Sequence, residues 1–209
     1  MANAKGKRLV VGISGASGIA LAIRVLELAA SHRDVCELHV VVSNSSLRVA
    51  MSELNPPGST PAAILDHCRL DDAARAKITI HANADIGASI ASGSCLTDGM
   101  VIVPCSAGTL ASIAHGISRD LIQRAADLTL KERRRLVIAL RETPLSMVHA
   151  ENILTATRAG AIVMPPVPSF YAGQSWDDFL DHFAMRVLDL FDIDIERDDL
   201  RWKGTNGDD

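Results

Sequence analysis

Aromatic side chains are scarce in this chain of 209 residues, since Phe, Tyr and Trp together make up only 3% of it. Hydrophobic residues nevertheless account for 48% of the chain, so the core has to be filled mainly by Ala, Val, Leu and Ile. Aliphatic filling of this kind is typical of parallel sheets whose strands are buried on both faces. The composition therefore favours an α/β protein, and the length allows a core that folds without disulfides.

Cysteine is sparse as well, and the four residues of this type are Cys36, Cys68, Cys95 and Cys105. None of them belongs to a CxxC pair, and their spacing matches neither a zinc site nor a compact disulfide framework. We therefore predict free thiols in a reducing compartment.

An excess of basic residues is also missing. The chain has 21 Lys and Arg against 25 Asp and Glu, a formal net charge of -4, which excludes a basic surface for nucleic acid or a polybasic membrane anchor. No apolar run approaches the roughly 20 residues that cross a bilayer. The basic residues at 1–8 precede a short, glycine-interrupted strand rather than the core of a signal peptide. We expect a cytoplasmic protein that binds neither nucleic acid nor membranes.

Short apolar runs alternate with helical patterns along the chain. Strands are predicted at 9–13, 37–42, 78–80, 100–103, 135–140 and 161–164, and helices at 19–30, 61–68, 109–115, 121–133, 149–159 and 176–191, with one helical turn at 85–89. This alternation predicts a doubly wound parallel sheet with helices on both faces. No internal repeat or second domain is visible, so we expect a single domain over 1–209, with a core at about 7–192 and a polar tail at about 193–209.

Two loops rich in small residues follow predicted strands. In GISGASG (12–18), the spacing is neither that of a dinucleotide fingerprint nor that of a P-loop. Its glycines either let backbone amides bind a phosphate or serve only a tight turn, and we favour the phosphate. PCSAGT (104–109) repeats this pattern of a buried strand, a loop of small residues and a helix. Two such loops at adjacent strand ends suit one phosphate-bearing cofactor. Within the second loop, we interpret Cys105 as a small buried thiol rather than a nucleophile.

Charged residues cluster at two further places. Arg141 and Glu142 follow another strand, where they either bind an anion and place a carboxylate or form a structural ion pair. The run KERRR (131–135) ends a helix, and basic residues there suit the helix dipole.

Eight segments, in order along nearly the whole chain, resemble one family. They are VGISGASG (11–18), ASGSC (91–95), MVIVPCSAGTLASIAHG (100–116), RAADLTLKERRRLV (124–137), RETPL (141–145), HAENIL (149–154), GAIVMPP (160–166) and FYAGQSWDDFLD (170–181). RAAD, LKERR and RETPL are specific, whereas the glycine loop alone is not. In these segments the sequence is similar to the flavin prenyltransferases of the UbiX type, within the flavoprotein (HFCD-like) superfamily.

The resemblance implies a Rossmann-like fold and a homododecamer with active sites at subunit interfaces. It implies FMN and dimethylallyl phosphate, or the diphosphate in some members, as reactants. It also implies no need for a metal, and a UbiD-type decarboxylase as the partner that receives prenylated FMN. By motif, the FMN contacts would be Gly15, Ala16, Ser17, Ser43, Ser106, Ala107, Gly108, Thr109 and Arg141. Ser92 and Gly93 would lie near the isoprenoid. Its phosphate would be held by Arg124, Lys131, Tyr171 and Arg186, partly across a subunit boundary.

The implied reaction joins the dimethylallyl group to N5 and then C6 of reduced FMN. The leaving phosphate needs charge-assisted hydrogen bonds, which Lys131 and the arginines supply. Glu53 and Glu142 are the acid/base candidates. Glu142 is the first choice for removing the C6 proton, with the leaving phosphate as its rival, and Ser17 would orient N5.

Two other functions stay open. A flavin-dependent decarboxylase could act directly on an aromatic acid or a cysteinyl substrate, although related cysteine decarboxylases carry an Asn in the loop equivalent to 104–109 and this chain does not. A non-enzymatic FMN carrier would not need cations beyond those for one FMN phosphate.

Overall fold

A computed structural model describes residues 6–173 and 175–204. Its strands are β1 (Lys7–Ile13), β2 (Val35–Val42), β3 (Ile78–Ala82), β4 (Gly99–Cys105), β5 (Arg135–Leu140) and β6 (Ile162–Val163). Its α-helices are α1 (Ile19–Ser31), α2 (Asn44–Glu53), α3 (Pro61–Leu65), α4 (Asp72–Arg75), α5 (Ala107–Ala114), α6 (Leu121–Lys131), α7 (Met147–Arg158) and α8 (Trp176–Asp189). Short 3₁₀ turns lie at Ser89–Ala91 and Asp198–Leu200.

The strands form one parallel sheet in the order β3-β2-β1-β4-β5-β6. The chain first builds outward from β1 to β3, and then crosses back to place β4 on the other side of β1. The strand order therefore reverses between β1 and β4. Open α/β sheets bind ligands beyond the carboxyl ends of their strands at such a switch point. The predicted α/β fold with a doubly wound parallel sheet is confirmed.

Helices cover both faces of this sheet, as the alternation predicts. One core cluster packs Leu9 and Val11 of β1 against α1 and α8. The other packs Val10 of β1 against side chains of α5, α6 and α7. Because alternate residues of a strand point to opposite faces, the part of a strand that lies between two helical layers has to be apolar at every position, and this is why β4 is a continuous apolar run and why β1 and β5 are apolar after their first residues.

Several local features differ from the sequence predictions. The helical turn predicted at 85–89 is wrong, since the 3₁₀ turn begins at Ser89. Helices α2 and α4 were not predicted at all. In the predicted polar tail, Ile193 and Leu200 are buried, while residues 205–209 lie outside the described residues. Within the described ranges, no helix is both long and apolar enough to cross a bilayer.

A pair of histidines joins β2 to β3, with ring centroids 5.1 Å apart. Nδ1 of His39 lies 3.0 Å from Nε2 of His81, and Nε2 of His39 lies 3.3 Å from a carboxylate oxygen of Glu37. Burial is the main cause that lowers the pKa of both histidines, against the opposing charges of Glu37 and Asp85. A neutral pair satisfies these contacts if His81 donates to His39 and His39 donates to Glu37.

We expect this pair to make the fold less stable in mild acid. Because the folded pKa of each histidine lies below the unfolded value of about 6.5, the unfolded chain binds more protons as pH falls. Stability is therefore full above about pH 6.5 and decreases as pH falls below it, by at most about 1.4 kcal/mol per pH unit for each extra proton. The melting temperature of His39→Gln should fall less steeply between pH 7.5 and 5.5 than that of the unchanged chain. Equal slopes would contradict this role of His39.

Candidate functional site

Four loops meet at the carboxyl edge of the sheet, beyond β1, β2, β4 and β5. Ser14 joins two of them, because its hydroxyl donates to the carbonyl of Pro104 (3.2 Å) and accepts from the amide of Ser106 (2.9 Å). The amide of Ser43 donates to the carbonyl of Ile13 (3.0 Å). The amide of Arg141 donates to the carbonyl of Cys105 (2.9 Å). These bonds bring the loops that carry the predicted FMN contacts into one continuous surface.

Helices α1, α2 and α5 begin at this surface and direct their amino ends toward it. The hydroxyl of Ser43 accepts from the amide of Ser46 at the start of α2, and the hydroxyl of Ser106 accepts from that of Thr109 at the start of α5. The first amides of a helix have no partner within it and carry a partial positive charge, which favours an anion. The α5 end adds the amides of Ala107 and Gly108, next to the loop of Arg141.

Two glycines in these loops have different surroundings. A Cβ built on Gly15 would lie 2.4 Å from Cβ of Ser45, so the close contact between the first two loops requires glycine there. A Cβ built on Gly108 would meet no atom within 4 Å beyond its chain neighbours and the nearby backbone of α5. The space over Gly108 is thus open for a ligand to approach the backbone. This open cradle at a helix amino end fits the phosphate of FMN.

A cavity of about 430 Å³ opens beside the first loop. It is lined by Ser17, Gly18, Ala20, Leu21, Glu53, Leu54, Arg141, Pro166, Trp176 and Phe179. The cavity unites three predicted site residues, Ser17, Glu53 and Arg141, with an apolar wall from α1 and α8. A planar ring system with polar edges suits such a lining, because apolar walls bury it and a few polar groups orient it.

Glu53 has a role that the sequence did not reveal. Its carboxylate accepts from the amide of Gly18 (3.0 and 3.1 Å) and from that of Ile19 (2.9 Å). Gly18, the residue before α1, has a φ of 110° and no side chain of its own to cap the helix. Glu53, at the end of α2, therefore caps α1 from a distance and fixes the loop that contains Ser17.

We expect Glu53→Gln to lower the melting temperature by about 2–4 °C. The amide oxygen keeps one acceptor but loses the negative charge at the helix amino end, a change of about 1 kcal/mol. Thermal unfolding followed by circular dichroism measures this. Glu151→Gln, an exposed carboxylate on α7, is the matched control, and an equal effect in both variants would contradict the capping role.

Residues beyond β5 are open to solvent. Both Arg141 and Glu142 are exposed, and Glu142 accepts from the amide of Thr143 (3.0 Å). The structural ion pair between them is absent from the described residues.

Cys105 is fully buried, and burial raises its pKa to about 12, so its interpretation as a structural thiol rather than a nucleophile agrees with its surroundings.

A second group of predicted residues lies along α6 and the segment before β4. Nζ of Lys131 is 2.5 Å from Oε1 of Glu132. A Cβ built on Gly93 would lie 3.3 Å from that Nζ, so Lys131 adjoins Gly93 and its neighbour Ser92. Arg124 precedes Lys131 by two helical turns on the same side of α6, about 10 Å along the axis, and pairs with Asp127 (3.1 Å).

A third group lies on α8, across the sheet. The Tyr171 ring packs edge-on against His182 and Trp202, with centroids 5.8 and 5.2 Å apart. Arg186 is exposed one turn after His182 and pairs with Asp189 (2.8 Å). Trp202, in the stretch predicted to be a polar tail, was missed as a neighbour of Tyr171, and no motif in the sequence pointed to it.

The fold of one chain keeps these groups apart. Lys131 and Gly93 lie near the amino end of β5, whereas the FMN set lies beyond its carboxyl end, about 17 Å away along a strand of six residues. Arg186 lies in the helical layer on the other face. Among the described residues, no group of three or more His, Cys, Asp or Glu side chains is placed to hold a metal ion.

Known proteins are similar to this chain in sequence and in fold. The family model described as Flavoprotein matches residues 1–188. The chain is 47% identical over 199 residues to the flavin prenyltransferase LpdB of Lactiplantibacillus plantarum, covering 95% of this chain and 99% of that protein.

Two solved structures are similar as well. One is described as AnUbiX (PadA1) in complex with FMN and dimethylallyl pyrophosphate, with a TM-score of 0.82, 42% identity, and coverage of 95% of this chain and 98% of that one. The other is described as a dodecameric FMN-dependent Ubix-like decarboxylase from Escherichia coli O157:H7, with a TM-score of 0.82, 36% identity, and coverage of 94% and 100%. The chain belongs to the flavoprotein family and, within it, to the flavin prenyltransferases.

Proposed function

We propose that this chain transfers a dimethylallyl group from dimethylallyl phosphate to N5 and C6 of reduced FMN, which yields prenylated FMN. The observation that carries the proposal is a second set of cations, Arg124, Lys131 and Arg186, apart from the loops that fit one FMN phosphate. A protein that only stored FMN would have no use for them. Their presence fits a second phosphate, that of the isoprenoid donor.

FMN binds, in this proposal, at the carboxyl edge of the sheet. Its phosphate lies over Gly108, where the α5 amides and Arg141 favour an anion. Its remaining contacts are Gly15, Ala16, Ser17, Ser43, Ser106, Ala107 and Thr109. The reduced flavin supplies the nucleophilic N5 and C6, and no metal takes part.

The donor's phosphate is held by Arg124, Lys131, Tyr171 and Arg186. Because the carbon–oxygen bond breaks to an allylic cation and a phosphate dianion, cations that hold the anion lower the barrier to departure. These four residues form two sets in opposite helical layers of one chain: Arg124 and Lys131 on α6, and Tyr171 and Arg186 at α8. The two sets therefore converge on one phosphate only when neighbouring subunits complete each other's sites. The exposed side chains of Leu145, Met147 and Val148, beside the loop of Glu142, support an oligomer, which we propose to be a dodecamer.

Bonding to N5 releases the N5 proton, and the second bond, to C6, forms once the remaining carbon–carbon double bond of the attached group has taken a proton. Glu142 takes the proton that C6 then loses, or the leaving phosphate takes it instead. Glu53, besides capping α1, is a second acid/base candidate at the cavity. Ser17 orients N5. Small residues at Ser92 and Gly93 leave room for the isoprenoid, and exclusion of water protects the allylic cation from capture as an alcohol. The product passes to a decarboxylase of the UbiD type.

The test is to incubate the purified protein without oxygen with reduced FMN and dimethylallyl phosphate, and to measure the mass of the flavin. A gain of one C5 unit supports the proposal. Unmodified flavin, from folded protein that binds FMN and with the diphosphate donor also tried, would contradict it and point to a direct decarboxylase or an FMN carrier. Carbon dioxide release from an aromatic or cysteinyl acid distinguishes those two.

A further inference from the structure

Arg134, which follows α6, forms hydrogen bonds to residues 93–97, mostly to their backbone. The guanidinium of Arg134 donates through Nη2 to the carbonyl of Gly93 (2.8 Å), and through Nη1 to the carbonyl of Cys95 (2.5 Å) and to Oγ1 of Thr97 (3.3 Å). It is half-buried, and it makes no ion pair with any described residue. A planar guanidinium spread over three acceptors fixes the course of residues 93–97.

The neighbouring arginines do nothing comparable. Arg133 is exposed, with a left-handed φ of 57°, and its side chain has no hydrogen bond or ion pair within the described part of the chain. Arg135 faces the end of α8, where it bonds the carbonyl of Leu190 and pairs with Asp192. Of these three arginines, only Arg134 contacts residues 93–97. Arg133, the residue before it in the turn that leads into β5, is therefore a matched control.

The segment that Arg134 holds is also the one that adjoins Lys131. A Cβ on Gly93 would lie 2.5 Å from Oε1 of Glu132 and 3.3 Å from Nζ of Lys131. Gly93 therefore packs directly on the Lys131–Glu132 ion pair. Any shift of the Gly93 carbonyl moves the backbone that supports this ammonium group.

We propose that Arg134 is a positioning residue for the isoprenoid donor: it holds the Ser92–Gly93 backbone against Lys131, so that the isoprenoid wall and the phosphate-binding cation keep one fixed spacing. This inference rests on the proposed function. It assigns Arg134 no contact with substrate. Its effect falls on the donor and not on FMN, whose predicted contacts lie beyond the other end of β5.

The test compares Arg134→Gln with Arg133→Gln and Arg134→Lys. For Arg134→Gln we expect kcat/KM for dimethylallyl phosphate to fall about 10- to 100-fold, mainly through a higher KM, since small misplacements of a binding group have effects of this size. The dissociation constant of FMN should stay unchanged. Arg134→Lys, whose ammonium can still donate to one or two of the carbonyls, should recover part of the loss, and Arg133→Gln should behave like the unchanged chain.

Gly93→Ala keeps the proposal testable if Arg134→Gln does not fold. Its added methyl group meets only the ends of flexible side chains, so the fold should persist while the Lys131–Glu132 pair is displaced. The same rise in KM for the donor, without a change in FMN affinity, is expected. An unchanged KM in a folded Arg134→Gln or Gly93→Ala variant, or an equal loss of FMN affinity, would overturn the positioning role.

Failure of the proposed function gives a different result. In that case the unchanged chain itself would neither transfer the C5 unit nor bind dimethylallyl phosphate in calorimetric titration of the FMN complex. Failure of the positioning role alone would leave the unchanged chain active and Arg134→Gln equal to Arg133→Gln.

Discussion

Lys131→Ala is expected to bind FMN normally and to lose roughly 10²- to 10³-fold in kcat/KM for prenyl transfer, the size found when one preorganised donor to a developing anion is removed. Lys131 is exposed and its ion pair with Glu132 lies at the surface, so the substitution has little to disturb in the fold. Arg124→Ala should give the same result, because Arg124 lies on the same side of α6.

FMN fluorescence titration and the mass-spectrometric transfer assay measure the two effects separately. Arg33→Ala is the control for loss of one positive charge, because its side chain is 86% exposed and belongs to none of the groups described above. Equal loss of FMN affinity in Lys131→Ala and Arg124→Ala would contradict the assignment to the donor phosphate, and so would unchanged turnover in both.

The fold was predictable where physical constraints act locally. The part of a strand that helices cover on both faces is largely apolar, so β1, β2, β4 and β5 were found within a few residues of their ends. Helix α2 was not found, because its apolar residues are few and mostly half-buried: only Ser46 and Ala50 are buried, while Leu47 and Val49 pack on the core partly exposed. Its start depends on the Ser43 cap and on contacts with β1, which periodicity does not reveal.

The sequence predicted which loops form the site, but not how the side chains outside these loops are arranged around it. Carboxyl ends of adjacent parallel strands meet at one edge, so the loops after β1 and β4 were expected together. That Glu53 caps α1 depends on the path of α2, which the sequence did not reveal. The position of Lys131 near the other end of β5 depends on the antiparallel course of α6, and this placed Lys131 away from the flavin loops in one chain.

The two loop glycines should respond in opposite ways to the same added methyl group. In Gly15→Ala the Cβ would lie 2.4 Å from Cβ of Ser45 and 3.3 Å from its carbonyl carbon, so the start of α2 has to move. Overpacking of this kind costs about 1–3 kcal/mol, or roughly 2–4 °C in melting temperature for each kcal/mol in a chain of this size. FMN binding should be lost with it, because the first two loops no longer meet.

Gly108→Ala adds its methyl group to open space at the first turn of α5, so the melting temperature should stay the same or rise slightly. FMN affinity should nevertheless fall by about 10-fold or more, because the methyl group occupies the approach of the phosphate to the amides, an interaction of charge-assisted strength. Thermal unfolding of the FMN-free proteins and fluorescence titration separate the two outcomes.

Unchanged FMN affinity in Gly108→Ala would mean that the phosphate lies elsewhere and that this glycine serves only the turn. Loss of affinity with unchanged stability would not be explained through folding, since the added atom meets no atom within 4 Å beyond its chain neighbours and the nearby backbone of α5. The pair of variants therefore distinguishes a glycine that lets two loops pack from a glycine that lets a ligand approach.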